Sequence, residues 1–264
     1  MMEYFYIGLW GLFLGSFLNV LADRLFIGDT LLGRSKCDKC HHKLNWFDLI
    51  PVISYTLIKG KCRYCKAPIS IQYPIVEICT SALYVLTYYL TQKFSFNLFD
   101  ILINLALVSV LIVLVLSDIR YHAFSDYMLY AFLSLASLKN AVNIFSEESS
   151  FAQILPQLFN IVLSSILVAL PLFMIYMLTR KKGMGLGDVI LALGIGALLG
   201  TMSGLLAIYI AFVTGGIYGA YLLIVRKGKP KTVVPFGPFL IFSTYFVMFF
   251  EYDLYRLIGS IYSF

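Results

Sequence analysis

Two sets of side chains in this sequence have the types and spacing to do chemistry. The first is a pair of Cys-x2-Cys turns, Cys37/Cys40 and Cys62/Cys65. Each turn presents two thiolates, and two such turns can close a tetrahedral four-thiolate zinc site. Lys36, Lys39, Lys61, Arg63 and Lys66 flank the cysteines and would offset the negative charge of that centre. Four thiolates leave no open position for water, so the zinc would be structural, stapling a segment poor in apolar residues. Two disulfides or four free thiols are the alternatives. His41 and His42 could stand in for a cysteine, although the four-cysteine set is already complete. Cys79 is expected to be a packed side chain and not a ligand.

The second set is acidic. Asp118 stands in Ser117-Asp118-Ile119-Arg120, and Asp188 follows Gly183-Met184-Gly185-Leu186-Gly187. Two carboxylates that meet in a poorly solvated site share a proton, so that one can activate water while the other polarises a carbonyl. Neither residue alone compels that reading. Asp118 could be a helix-end residue snorkelling toward water or pairing with Arg120, and Asp188 could be a helix N-cap. Asp126 would either support the site or begin a helix, with the supporting role favoured. Glu77 is a buried functional acid or an interface residue, with nothing to decide between them. No Ser-His-Asp or His-Glu-x-x-His arrangement is present, and His122 sits in a polar loop.

These residues must be positioned by a membrane-embedded frame. The chain has 264 residues, 60% hydrophobic and 13% charged, with a mean hydropathy of +0.86. A soluble domain carries roughly 25% charged residues. Apolar runs of membrane-crossing length predict about eight transmembrane helices. They are Tyr4–Ala22, Pro74–Gln92, Ile101–Ser117, Tyr127–Ser146, Ala152–Thr179, a run over Val189–Val225 split near Gly200–Gly204, and Thr232–Phe250. The expected fold is therefore an all-α polytopic membrane protein with a small four-cysteine module between its first two spans. Residues 1–22 form the first span, 23–73 the module, and 74–264 a multi-helix membrane domain.

Alternating these spans puts the basic residues of Asp23–Tyr73, Arg120, Arg180–Lys182, and Arg226, Lys227, Lys229 and Lys231 on one side. Only Lys93, Lys139 and Arg256 of the twenty Lys and Arg fall on the other. Basic residues stay in the cytoplasm, so the module is expected there, with Asp118 and Asp188 at one depth on the same face. The net charge of +6 is thus a topology signal, and a nucleic-acid partner is not expected. Met1-Met2-Glu3 lacks the basic start of a cleavable signal peptide, so the first span is expected to be retained.

The ordered set of short motifs resembles the bacterial type IV prepilin peptidase family, a branch of the Gly-x-Gly-Asp membrane aspartic proteases. It comprises Gly15-Ser-Phe-Leu-Asn-Val20, Arg24-Leu25, the two cysteine pairs, Leu49-Ile-Pro-Val-Ile-Ser-Tyr55, Gly60-Lys-Cys62 and Tyr73-Pro-Ile-Val-Glu77. Asp118-x7-Asp126, Gly183-x-Gly-x-Gly-Asp188 and Pro235-Phe-Gly-Pro-Phe239 complete it. The resemblance implies that Asp118 and Asp188 are the catalytic pair, and that prepilins or pseudopilins of pilus or secretion systems are cut at a basic leader. It also implies N-methylation of the new N-terminus with S-adenosylmethionine, associated with the cysteine-bearing N-terminal part, and residence in the bacterial inner membrane. The sequence departs from the pattern where Phe124-Ser125-Asp126 replaces Ile-Pro-Asp, and where Ile190 replaces a lysine after Asp188. An ion- or proton-coupled transporter using the two aspartates is the principal alternative. A zinc-bearing membrane scaffold would explain the cysteines but not two acids at matched depth.

Overall fold

A computed structural model describes residues 1–28, 33–37, 39–94, 97–146, 151–180, 184–225 and 235–262. Their regular structure is helical, with no strand among the described residues beyond two isolated bridges, and most of the stretch between α1 and α3 is turns and loops. The helices are α1 (Met2–Ile27), α2 (Ile53–Leu57), α3 (Gln72–Phe94), α4 (Leu98–Tyr121), α5 (Asp126–Ser146), α6 (Phe151–Leu178), α7 (Leu186–Val225) and α8 (Gly237–Tyr262). Five of them, α1 and α4–α7, are long and apolar enough to cross a membrane. The chain is a polytopic membrane protein whose helices expose apolar side chains where a soluble protein would expose charge.

The predicted spans fall on α1 and α3–α8, although α3 and α8 are not among the five helices apolar and long enough to cross. The predicted split of the run over Val189–Val225 is present at Gly200, whose φ of 78° and ψ of −176° break α7 into two helical segments. Only glycine adopts that conformation without strain. The Asn140 amide donates to the carbonyls of Ala197 and Leu198, which the break leaves without helical partners. The last helix begins at Gly237, later than predicted, because Pro235 and Pro238 have no backbone N–H and favour a helix start. Residues 231–234 lie outside the described residues.

The chain forms two compact units, Met1–Ser117 and Asp118–Phe264. In the first, α1 and α3 run antiparallel in close contact. A methyl group on Gly11 would lie 2.7 Å from the Ser81 backbone, and one on Gly15 would lie 2.9 Å from Cα of Glu77. Such close approach requires glycine. Asn104 of α4 donates to Thr91 at 3.0 Å and Tyr84 meets Ser109 at 2.6 Å, satisfying polar groups that lipid cannot solvate. In the second unit, α7 packs against α5, α6 and α8.

Candidate active site

Asp118 sits in the last turn of α4, where the helix stops because His122 turns to a φ of 51° and donates its N–H to the Asp118 carbonyl at 2.9 Å. Its carboxylate points inward, with only 6% of the residue exposed. There Oδ2 accepts the backbone N–H of Gly237 at 2.9 Å. Gly237 is the first residue of α8, so the carboxylate occupies the anion-favouring end of that helix.

Asp188 lies in the first turn of α7, 8% exposed, and its Oδ2 accepts the Gly185 N–H at 3.2 Å. It therefore also caps its own helix, as an acid at the third helical position commonly does. Capping and carboxylate chemistry are compatible, because one oxygen takes the N–H and the other is left for a second partner. The two carboxyl groups are brought to one locality by packing, through Gly187 next to Asp188 and Gly237 under Asp118.

Phe124 joins the two sides of this arrangement. A methyl group on Gly187 would come within 2.6 Å of its ring, and one on Gly237 would collide with the same ring and lie 2.5 Å from Asp118 Oδ2. The glycine before Asp188 and the glycine that holds Asp118 thus both press against one aromatic side chain. Sequence reasoning missed Gly237 and Phe124 as site residues. Pro235-Phe236-Gly237-Pro238 was visible as a motif, but no spacing rule connects it to Asp118, 119 positions away in sequence.

The other acids divide. Asp126 is exposed in the first turn of α5. Ser125 supplies the start of that helix, its carbonyl accepting the N–H groups of Met128 at 3.0 Å and Leu129 at 3.1 Å. The missing proline therefore does not prevent α5 from starting there. Glu77 is buried in the first unit, accepting the Val52 N–H at 2.7 Å and a bond from the Ser16 hydroxyl. His122 is exposed beside Asp118, and Ile190 is half-buried.

The four cysteines come together as two matching knuckles. Cys37 N–H bonds to the His42 carbonyl and His41 N–H returns to Cys37; Cys62 N–H bonds to Ala67 and Lys66 N–H returns to Cys62. His41 and Lys66 take the same left-handed turn, φ 55° and 59°. The Sγ atoms of Cys37, Cys40, Cys62 and Cys65 all lie within 4.8 Å of one another, a set that can hold a metal ion, and none is in a disulfide. Backbone N–H groups of Cys40 and Lys39 hold the Cys37 thiol down to about 7. The Ala67 N–H opposes the rise at Cys65, yet desolvation and the other sulfurs push it up to about 11. Four sulfurs this close cannot all ionise without a cation among them.

Asp48 secures the second knuckle, pairing with Arg63 at 3.0 Å and accepting from Tyr64 at 3.2 Å. Arg63 lies 4.6 Å over the Phe47 ring, and His42 packs on Tyr64 with no role in the sulfur cluster. Cys79 is exposed on α3, on a face turned away from α1, and is not the packed side chain expected from the sequence.

Residues 9–91 match the bacterial peptidase A24 N-terminal domain, and residues 105–220 match the type IV leader peptidase family. The prepilin leader peptidase/N-methyltransferase of Legionella pneumophila is 30% identical, the alignment covering 93% of this chain and 91% of that protein. The proteins of the same name from Pseudomonas aeruginosa and Dichelobacter nodosus are 29% and 30% identical over 87% and 97% of this chain, and over 84% and 94% of theirs. No solved structure matches.

Proposed function

The chain belongs to the type IV leader peptidase family, and on that premise we propose that Asp118 and Asp188 are the catalytic pair of a membrane aspartic endopeptidase that removes prepilin leaders. The observation that carries this reading is a pair of buried carboxyl groups from helix ends 70 positions apart in sequence, each held by a backbone N–H, with the glycines beside them, Gly187 and Gly237, against the same Phe124 ring. One carboxylate takes a proton from water as the water oxygen attacks the scissile carbonyl carbon. The other, protonated, donates to the carbonyl oxygen, and the resulting gem-diol collapses as the leaving amine takes up a proton. No observation favours the transport alternative.

The basic-residue distribution supports a cytoplasmic position for residues 23–73 and the aspartate pair, in a bacterial inner membrane. Prepilins or pseudopilins, with a basic leader ahead of an apolar helix, present their scissile bond at that interface. The division into residues 1–22, 23–73 and 74–264 is a functional one: span, module and protease domain. The relatives' name supports N-methylation of the released N-terminus. S-adenosylmethionine would supply that methyl group, but the described residues single out no seat for it and no step is routed through it. Mass spectrometry of a co-expressed prepilin tests both activities. Leader loss with a single methyl increment is expected, and an intact leader overturns the peptidase reading.

Zinc is the metal proposed for Cys37, Cys40, Cys62 and Cys65. A tetrahedral site with Zn–S of about 2.3 Å has sulfur–sulfur edges of about 3.8 Å, and Cys37 Sγ lies 3.8 Å from Cys65 Sγ. Purified protein is expected to carry about one zinc equivalent, and Cys62→Ser well under half of one, by elemental analysis. Zinc retained at one equivalent in Cys62→Ser would count against this ligand set. Since thiolates bind the metal, zinc is expected to be lost only at acid pH, where protons compete with it for the four sulfurs.

A further inference from the structure

The cysteine module meets the α1–α3 pair about two turns inside the charged residues Asp23 and Arg24 near the end of α1. Glu77 packs level with Gly15 and Ser16 of α1, since a methyl group on Gly15 would lie 2.9 Å from Glu77 Cα and the Ser16 hydroxyl bonds its carboxylate. The charged residues Asp23 and Arg24 come two turns later on α1, about 10 Å farther along at about 1.5 Å per residue. Yet Glu77 accepts the Val52 N–H at 2.7 Å. Val52 is therefore carried down to the depth of Ser16, inside the stretch of α1 long and apolar enough to span a membrane, Met2–Phe26.

The neighbouring chain is built for that depth. Pro51 has no N–H. Val52, a β-branched residue at φ 60° and ψ −47°, would be strained in isolation, and its N–H goes to Glu77. Ser54 donates to Ile50 and Thr56 to Val52, each at 3.0 Å, and Ile53 donates to Pro51. The Thr56 hydroxyl returns to the Ile53 carbonyl at 2.9 Å. Backbone donors satisfied internally are what a hydrocarbon surrounding demands. Of the exposed side chains on α2, Ile53 (56% exposed) and Leu57 (75%) are apolar, and the third, Thr56, turns its hydroxyl onto the backbone; Ile75 and Ile78 of α3 are exposed as well. Lys59 and Lys61 follow α2 directly, exposed, where phosphate headgroups would meet them.

We propose that residues 50–57 are a membrane-embedded foot of the module, with α2 lying in the bilayer interface and Ile53 and Leu57 in contact with lipid. The module is thus anchored in the membrane between its two tethers and does not stand free in water. The inference rests on the membrane reading of α1 and not on the peptidase reading. Trp10 and Trp46 are the two tryptophans of the chain, so Trp10→Phe with Trp46→Phe gives a dark background. Into it Ile53→Trp or Leu57→Trp is introduced singly, and the protein is reconstituted in phosphatidylcholine–phosphatidylglycerol vesicles. Fluorescence at both positions is expected to be quenched severalfold more by lipid brominated near the top of the acyl chain than by aqueous iodide. Iodide quenching equal to that of free tryptophan would overturn the proposal, because it places the foot in water. Protection from both quenchers would also overturn it, showing that protein and not lipid covers α2. Unchanged helical content and thermal midpoint show that each variant is folded, and a variant failing this is replaced by Ile53→Phe with p-cyano substitution read by the same quenchers.

Discussion

Asp118→Asn and Asp188→Asn are each expected to lower leader cleavage by about 10³-fold while leaving the helical content and zinc content of the protein unchanged. The magnitude follows from removing one partner of an acid–base pair, typically 10²- to 10⁴-fold. Asparagine keeps an oxygen that can accept the Gly237 N–H now given to Asp118, or the Gly185 N–H now given to Asp188. The helix ends therefore keep their hydrogen bonds and a folded variant results. Alanine is the poorer probe, since it would leave a buried N–H without a partner and mix a stability loss of about 1–3 kcal/mol with the catalytic one. If the two residues act as a unit, the double variant should be no slower than either single one. Retained cleavage in both single variants would remove them from the reaction. Retained cleavage in one would mean that the other acts alone or with an acid such as Asp126, which is exposed at the start of α5.

The parts of this architecture that were legible in the sequence are those written in local terms. Apolar run length locates the spans because one helix crosses the bilayer by itself, and the break at Gly200 is signalled by a cluster of turn-forming residues. The Cys-x2-Cys spacing predicts a knuckle because each turn is closed by hydrogen bonds within six residues, Cys37 to His42 and Cys62 to Ala67. The acids at the helix ends could be picked out because charge at those positions is costly. What was not legible depends on contacts between distant segments. Nothing local connects Val52 to Glu77, and a polar stretch of Lys and Cys gave no sign that its Ile50–Leu57 segment reaches into the bilayer. Likewise, the aromatic residue in place of isoleucine at Phe124 is unremarkable in sequence. Its weight appears only when Gly187 and Gly237 are found against the same ring.

Gly237→Ala is expected to reduce kcat for leader cleavage by at least 10²-fold with a small change in KM. The added methyl would lie 2.5 Å from Asp118 Oδ2 and would also run into the Phe124 ring. Neither neighbour can retreat cheaply. The carboxylate is fixed by the Gly237 N–H itself at 2.9 Å, and the ring is backed by Gly187, where there is equally little space. Relief must come from α8 shifting away from the end of α4, which lengthens the bond that orients Asp118. Overpacking of this kind costs about 1–3 kcal/mol in stability, whereas a displaced general base loses rate steeply with distance. The two effects separate in a second variant. Phe124→Leu should recover much of the lost thermal stability of Gly237→Ala by vacating the ring's space, but little of the lost kcat, because the clash with the carboxylate oxygen remains. Equal recovery of both would mean that Gly237 serves only to admit Phe124. Unchanged kcat in Gly237→Ala itself would mean that the N–H at the start of α8 does not position Asp118 for cleavage.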